Sequence, residues 1–406
     1  MKFFATENIS VRLAAPVVRA VKKGHPWIFD KGILTQNKAA RPGDMAILYD
    51  QKRKFVGIGL FDPESPIIIR VLHHGKPVTL DTEWVKEKLR NIFQVRTELI
   101  NDPETTGYRL VSGENDGLPG LVVDRYDDTL VFKLDTIAWM PHLDQLVSLF
   151  RDLIHPERIV LRINRTVAAA PSCPDNLKQA CVIYGPELVG PVIFLENGLK
   201  FEAEPIIGQK TGFFLDQRDN RARVGKLSQG QSVLNVFSYT GGFSLYAASN
   251  GAKSVTSLDL SKPALEAALN NFQLNKHLPN IADTPHVLMC DDAFDALRKL
   301  ADDGKKYDMV ILDPPSFARK QGDIPGALKA YERLVKRGLN VLEKGGVLVS
   351  ASCSSRIPAD DFFKTVTRTA AMAGRPLKII EKTTHAIDHP IGFPEGAYLK
   401  CIFGKA

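Results

Sequence analysis

From about residue 190 onward, short apolar runs alternate with amphipathic stretches: "SVLNVFS", "GFSLYAASNG", "KSVTSLDL", "KPALEAALNNFQLNK", "HVLMCD", "YDMVILD", "ALKAYERLVKRGLNVLEKGG" and "GVLVSASCS". Strand-like runs recurring between helical patterns imply βαβ units and a parallel sheet, whose ligands bind beyond the carboxyl ends of the strands. One such end is unusual. "DPPSFARKQG" (Asp313–Gly322) follows "YDMVI" one residue on, and its two prolines cannot continue the sheet, so they form a stiff turn that holds a carboxylate at the strand end.

The other carboxyl ends carry a consistent pattern. "NVFSYTGGFS" (Asn235–Ser244) has paired glycines, Gly241 and Gly242, that let the backbone turn sharply and approach a ligand. It lacks the G-x-G-x-x-G spacing that cradles a pyrophosphate at a helix N-terminus, so a nucleoside cofactor without phosphates fits better than a dinucleotide. The next strand ends at Asp259, placed to accept hydrogen bonds from both ribose hydroxyls. The third ends at Asp291 and Asp292, where an adenine amino group could be read. Each acid alone is equally well a helix cap; three in register with a glycine turn are hard to ascribe to chance.

A chain of 406 residues is long enough for two or three domains. Residues 1–79 show short β-like runs broken by Gly and Pro, consistent with a small β-barrel. Residues 80–188 mix helix and strand, and 189–406 hold the α/β alternation. Residues 1–79 contain 13 Lys and Arg against 6 Asp and Glu, which equals the whole net charge of +7. Clusters such as "RAVKKGHPW" and "QKRKF" suit a surface that meets phosphates and stacks on bases, although a solvated basic face would read the same way. The five cysteines (Cys173, Cys181, Cys290, Cys353, Cys401) include no C-x-x-C pair, so neither a disulfide framework nor a metal site is expected. No stretch suits a bilayer span, and "MKFFATENIS" lacks a secretory apolar run, so the expected location is cytoplasmic.

"GQKTGFFLDQRDNR" (Gly208–Arg221), "NVFSYTGGFS", "DPPSFAR", "SCSS" (Ser352–Ser355) and "RLVSGENDGLPGLVVDRY" (Arg109–Tyr126) together resemble the ribosomal RNA large subunit methyltransferase I family, over essentially the full length. The resemblance implies an N-terminal PUA-like RNA-binding barrel, a central α+β domain and a C-terminal Rossmann-like class I methyltransferase domain. It also implies S-adenosylmethionine as cofactor, large-subunit ribosomal RNA as partner, a homodimer as an option, and methylation of cytidine carbon 5. The cofactor residues it implies are Gln209, Lys210, Thr211, Phe213, Asp216, Arg218, Phe237, Tyr239, Thr240, Gly241, Gly242, Asp259, Asp291, Asp292, Asp313 and Pro314.

Carbon 5 of a pyrimidine is a poor nucleophile until something adds at carbon 6, and a thiolate can do this. Cys353, ending "GGVLVSASCS", is the expected thiolate, and Asp313 the group that bonds the base. Ser316 stands where amine methyltransferases of the superfamily carry a stacking aromatic residue, which disfavours amine chemistry. It also stands where another group of RNA cytosine-5 methyltransferases has a second cysteine, leaving open which base removes the carbon-5 proton. Competing readings are uridine carbon 5, a guanine nitrogen, or a non-catalytic RNA-binding assembly factor.

Overall fold

The computed structural model describes residues 3–4, 6–318 and 320–406; Arg319 of the Asp-Pro-Pro segment, and Met1, Lys2 and Ala5 of the basic segment, lie outside them. The chain forms two compact units. One contains the residues up to Gly198 together with Ala203–Leu215 and Ile387–Gly396; the other contains Leu199–Glu202, Asp216–Ala386 and Ala397–Ala406.

The first unit holds two sheets. A six-stranded sheet runs in the order Trp27–Phe29, Ile67–His74, Phe55–Phe61, Met45–Tyr49, Asn8–Leu13, Ile33–Gln36. Inward positions alternate along Asn8–Leu13, where Ile9, Val11 and Leu13 are all but inaccessible to solvent. A five-stranded sheet runs Cys181–Tyr184, Arg158–Ile163, Thr129–Leu134, Leu121–Tyr126, Gly107–Ser112. Helix Thr82–Gln94 buries Val85, Leu89 and Ile92, three residues at helical spacing, and is capped by Asp81, which accepts a bond from the Trp84 N–H.

Among the described residues this unit holds the ion pairs Arg96 with Asp116 and Arg109 with Asp124, both at 2.7 Å, and the buried pair Arg70 with Asp62 at 3.7 Å. Two of these arginines explain why a late segment belongs here. Arg96 Nη2 donates to the Asp388 carbonyl at 2.9 Å, and the Arg109 N–H donates to Asp388 Oδ2 at 2.8 Å. Asp388 is fully buried, so these bonds are what make its burial tolerable.

The second unit is a seven-stranded sheet. Its strands in chain order are β1 (Ser232–Val236), β2 (Ser254–Asp259), β3 (His286–Cys290), β4 (Tyr307–Leu312), β5 (Leu342–Ser352), β6 (Lys378–Thr383) and β7 (Lys400–Lys405). They lie in the order β3-β2-β1-β4-β5-β7-β6. The first five are parallel, and β7 runs antiparallel between β5 and β6. Continuous apolar runs such as "MVIL" in β4 are buried on both faces, as a helix-covered parallel sheet requires. Flanking helices are α1 (Arg218–Leu227), α2 (Gly242–Ser249), α3 (Lys262–Leu274), α4 (Ala293–Asp302), α5 (Ile324–Asn340) and α6 (Ala359–Met372). The strand order reverses between β1 and β4, which is where an open sheet of this kind offers a crevice.

Inside this sheet a polar chain links three strands. Asn235 Nδ2 donates to Ser244 Oγ (2.9 Å), Ser244 and Ser257 share a 2.7 Å bond, and Ser257 meets His286 Nε2 at 2.8 Å. The His286 ring stacks on Phe272 at 3.7 Å between centroids. Its Nδ1 has no protein partner among the described residues, and burial pulls its pKa down to about 4.

A depressed histidine pKa sets a pH dependence. Above the ordinary value of about 6.5 the ring is neutral folded or unfolded; between 6.5 and 4 only the unfolded chain takes up the proton. Stability therefore falls as pH drops through that window, by on the order of 3 kcal/mol. Urea unfolding across pH 4–8 should show wild type losing more stability on acidification than His286→Gln; parallel profiles for the two would contradict this account.

Candidate active site

The loop after β1 has three left-handed residues in five: Phe237 (φ 62°), Tyr239 (φ 47°) and Gly241 (φ 75°). For a bulky residue that conformation costs of order 1–3 kcal/mol and persists only where the surroundings enforce it. Enforcement comes from several sides. Phe237 packs on the apolar core, and the Thr240 carbonyl accepts from Asn271 Nδ2 on α3 at 2.9 Å. A Cβ on Gly241 would lie 2.8 Å from Ala268 Cβ, so glycine is needed for space as well as for φ. Gly242 then opens α2.

Asp259 pins the same loop. Its Oδ2 accepts from the Tyr239 N–H at 2.9 Å and its Oδ1 from the Ser261 N–H at 2.8 Å. One bond per oxygen leaves lone pairs for further donors, and the side chain is only half-buried. Leu260, 72% exposed, adds an apolar surface next to this carboxylate; as one apolar residue between Asp259 and Ser261 it carries no periodic signal in the sequence. Ser238 Oγ and Thr240 Oγ1 are buried with no hydrogen-bond partner among the described residues.

The two acids after β3 have different environments. Asp292 caps α4, its Oδ1 accepting from the Phe294 N–H (2.8 Å) and the Asp295 N–H (3.2 Å). Asp291 pairs with Lys299 at 2.6 Å, and that contact holds its carboxyl below the usual range.

Asp313 follows β4, and a buried amide chain sets its carboxylate. Gln217 Nε2 donates to Asp313 Oδ2 at 2.9 Å, Asn220 Nδ2 donates to Gln217 Oε1 at 2.6 Å, and the Thr383 hydroxyl donates to Asn220 Oδ1. Sequence reasoning missed Gln217 and Asn220; they sit within "LDQRDN", where polar residues read as an exposed helix start, yet both are buried. Pro314 is buried and Pro315 exposed. Phe317 turns inward and packs on Tyr331 with ring centroids 5.0 Å apart.

Cys353 is the first residue past β5, the strand beside β4, and it is half-buried with no disulfide. The Ala318 carbonyl accepts from Ser316 Oγ (3.1 Å) and from Ser354 Oγ (3.2 Å), tying the Asp-Pro-Pro turn to the loop of Cys353. Behind them the Tyr331 hydroxyl donates to Ser352 Oγ at 2.9 Å. The other cysteines lie elsewhere: Cys173 and Cys181 in the first unit, Cys290 exposed at the end of β3, and Cys401 fully buried on β7 with its thiol pushed far up by burial.

Asp216 is buried in the second unit, where its Oδ2 accepts from the Tyr398 hydroxyl at 2.7 Å; Arg218 is buried beside Asp219 at 3.5 Å. Gln209, Lys210, Thr211 and Phe213 belong to the first unit. There the Thr211 hydroxyl donates to Asp124, and the Phe213 N–H donates to the Tyr126 hydroxyl at 3.1 Å. The Lys210 ammonium lies 4.3 Å from the centre of the Phe214 ring, and the Gln209 carbonyl accepts from the Gly212 N–H at 2.8 Å. Among the described residues no group of three or more His, Cys, Asp or Glu is placed to hold a metal ion, and no helix is long and apolar enough to cross a membrane.

A strand order of β3-β2-β1-β4-β5-β7-β6 with β7 antiparallel, together with acids at successive carboxyl ends, defines a class I methyltransferase fold. The family model for S-adenosylmethionine-dependent methyltransferases matches residues 173–402, and that for PUA-like domains matches residues 11–74. A protein named Ribosomal RNA large subunit methyltransferase, from Deinococcus radiodurans, is 44% identical across 98% of this chain and 97% of its own. Ribosomal RNA large subunit methyltransferase I of Shewanella frigidimarina is 37% identical across 98% and 99%. Among solved structures, an S-adenosylmethionine-dependent methyltransferase of Streptococcus mutans superposes with a TM-score of 0.82 at 24% identity, covering 98% of this chain and all of that one. The chain belongs to the ribosomal RNA large subunit methyltransferase I family. Its cofactor is S-adenosylmethionine. The site fits that molecule: Asp259 retains acceptor capacity for hydroxyls, and the orphaned Ser238 and Thr240 hydroxyls offer further polar contacts.

Proposed function

We propose that the protein methylates carbon 5 of a cytidine in large-subunit ribosomal RNA through a transient adduct on Cys353. The observation that carries this reading is that Asp313 and Cys353 follow adjacent strands, with their loops joined through the Ala318 carbonyl. The names of the Deinococcus and Shewanella relatives support the RNA class, and the inward Phe317 leaves no stacking aromatic in the turn for amine chemistry.

In this reading Asp259 holds the cofactor ribose, Asp292 lies at the adenine end, and the loop from Phe237 to Gly242 passes beneath. Bound S-adenosylmethionine supplies the methyl group that carbon 5 receives, as an electrophilic carbon on a sulfonium. The target base is extruded to reach the pocket. Asp313, oriented by Gln217, bonds the N3/N4 edge while the Cys353 thiolate adds to carbon 6, which makes carbon 5 nucleophilic. Loss of the carbon-5 proton and elimination of the thiolate then restore Cys353. In this reading residues 1–79 contact RNA, 80–188 form the central body, and 189–406 transfer the methyl group. Cytoplasmic ribosomal RNA is the partner, and no metal takes part.

Asp259→Ala should weaken S-adenosylmethionine binding roughly 10- to 150-fold, the worth of at least one charge-assisted hydrogen bond; calorimetric titration showing unchanged affinity in the folded variant would remove Asp259 from the cofactor site. Cys353→Ala should bind S-adenosylmethionine normally yet lose methyl transfer by about 10,000-fold or more. RNA bearing 5-fluorocytidine at the target should trap the wild-type protein as a complex that survives denaturing electrophoresis, and should not trap Cys353→Ala. Near-normal methylation by that variant would overturn the covalent mechanism.

A further inference from the structure

Lys400, the first residue of β7, is 1% exposed. A lysine is almost never buried so completely without partners, and two of its three partners, Ser354 and Ile357, belong to the loop of Cys353. Lys400 is paired across the strands with Ser352, the residue before Cys353. Its ammonium donates to the Ser354 carbonyl, to the Ile357 carbonyl at 2.7 Å and to the Tyr398 carbonyl at 3.2 Å. Three protons meet three carbonyls, so the charged form of Lys400 is fully hydrogen-bonded where it lies.

We propose that Lys400 is a positioning residue for Cys353: its buried ammonium fixes the loop after β5 and stabilises the Cys353 thiolate. This rests on the reading of Cys353 as the nucleophile. The charge balance of the site supports it. The Cys353 thiol and the Asp313 carboxyl, which follows β4, both act on the Tyr331 hydroxyl of α5, and Asp313 and Glu381 of β6 both act on the Cys401 thiol of β7. Burial keeps Tyr331 and Cys401 neutral, their pKa values pushed well up. Among these groups Lys400 is the cation, and Cys353 acts on it. Burial pulls its own pKa down to about 8, and the Cys353 thiolate opposes that pull, so each charge favours the other. An uncompensated thiolate in such surroundings would carry a raised pKa instead.

The test is the pH profile of Cys353 alkylation by iodoacetamide, followed by peptide mass spectrometry so that the other cysteines are scored separately. In the wild-type protein the midpoint should lie below the ordinary thiol value of about 8.5. In Lys400→Met, which keeps length and burial but removes the charge, it should rise by about one unit, slowing alkylation at pH 7 about 10-fold. S-Adenosylmethionine binding serves as the control for folding. A purely structural lysine would leave the midpoint of a folded Lys400→Met protein where it was, and that result would overturn the proposal. If the variant fails to fold, the wild-type midpoint decides alone, since a value at or above 8.5 contradicts it. A shifted midpoint without any 5-fluorocytidine trapping would sink the cytosine-5 reading while leaving the electrostatic role of Lys400 standing.

Discussion

Five parallel strands ending along one edge are the constraint on which the second unit depends. Parallel ladders leave their side chains and loops at the carboxyl ends free to converge, while helices cover both faces. Phe237 to Gly242, Asp259, Asp291, Asp292, Asp313 and Cys353 are scattered over more than a hundred positions of chain yet follow β1 to β5 in turn. The sheet places them with few loop residues, and short loops have little freedom to misplace a side chain. Strain in the loop after β1 is tolerable for the same reason. Two left-handed aromatic residues are held there by the Asp259 carboxylate, the Asn271 amide and the packing of Gly241 against Ala268.

A second theme is that the polar groups of the site are themselves oriented by buried polar groups. Asp313 answers to Gln217, Gln217 to Asn220, and Asn220 to Thr383. The Cys353 loop answers to Lys400, Tyr331 and the Ala318 carbonyl. Such chains are costly when incomplete and rigid when complete, and here they reach from α1 and β6 to the turn after β4. Rigidity suits a reaction in which a thiolate must meet one carbon of an extruded base while a carboxylate holds its opposite edge.

The sequence was most legible where local pattern and tertiary role agree. Alternating apolar runs and helical stretches revealed the sheet, and the glycine pair, the prolines and the acids marked where its strands end. Of the two readings weighed for Asp292, the structure shows the cap on α4. Long-range partners were opaque. Gln217, Asn220 and Lys400 look like surface residues in any window, because what buries them comes from strands and loops far along the chain. Nor does local pattern disclose that Ile387–Gly396 belongs with the first unit; only the bonds from Arg96 and Arg109 to Asp388, nearly three hundred positions away, account for it. Thr211 and Phe213 are legible as a motif, yet within the first unit their observed partners are Asp124 and Tyr126.

The central claim is that the methyl group goes to carbon 5 of cytosine, and the hydrogen on that carbon reports on it directly. Large-subunit RNA carrying tritium at carbon 5 of cytidine, incubated with the protein and S-adenosylmethionine, should release one equivalent of label to water for each methyl group incorporated. Methylation of the exocyclic amine or of a ring nitrogen leaves that hydrogen in place. Methyl incorporation with all of the tritium retained would contradict the account.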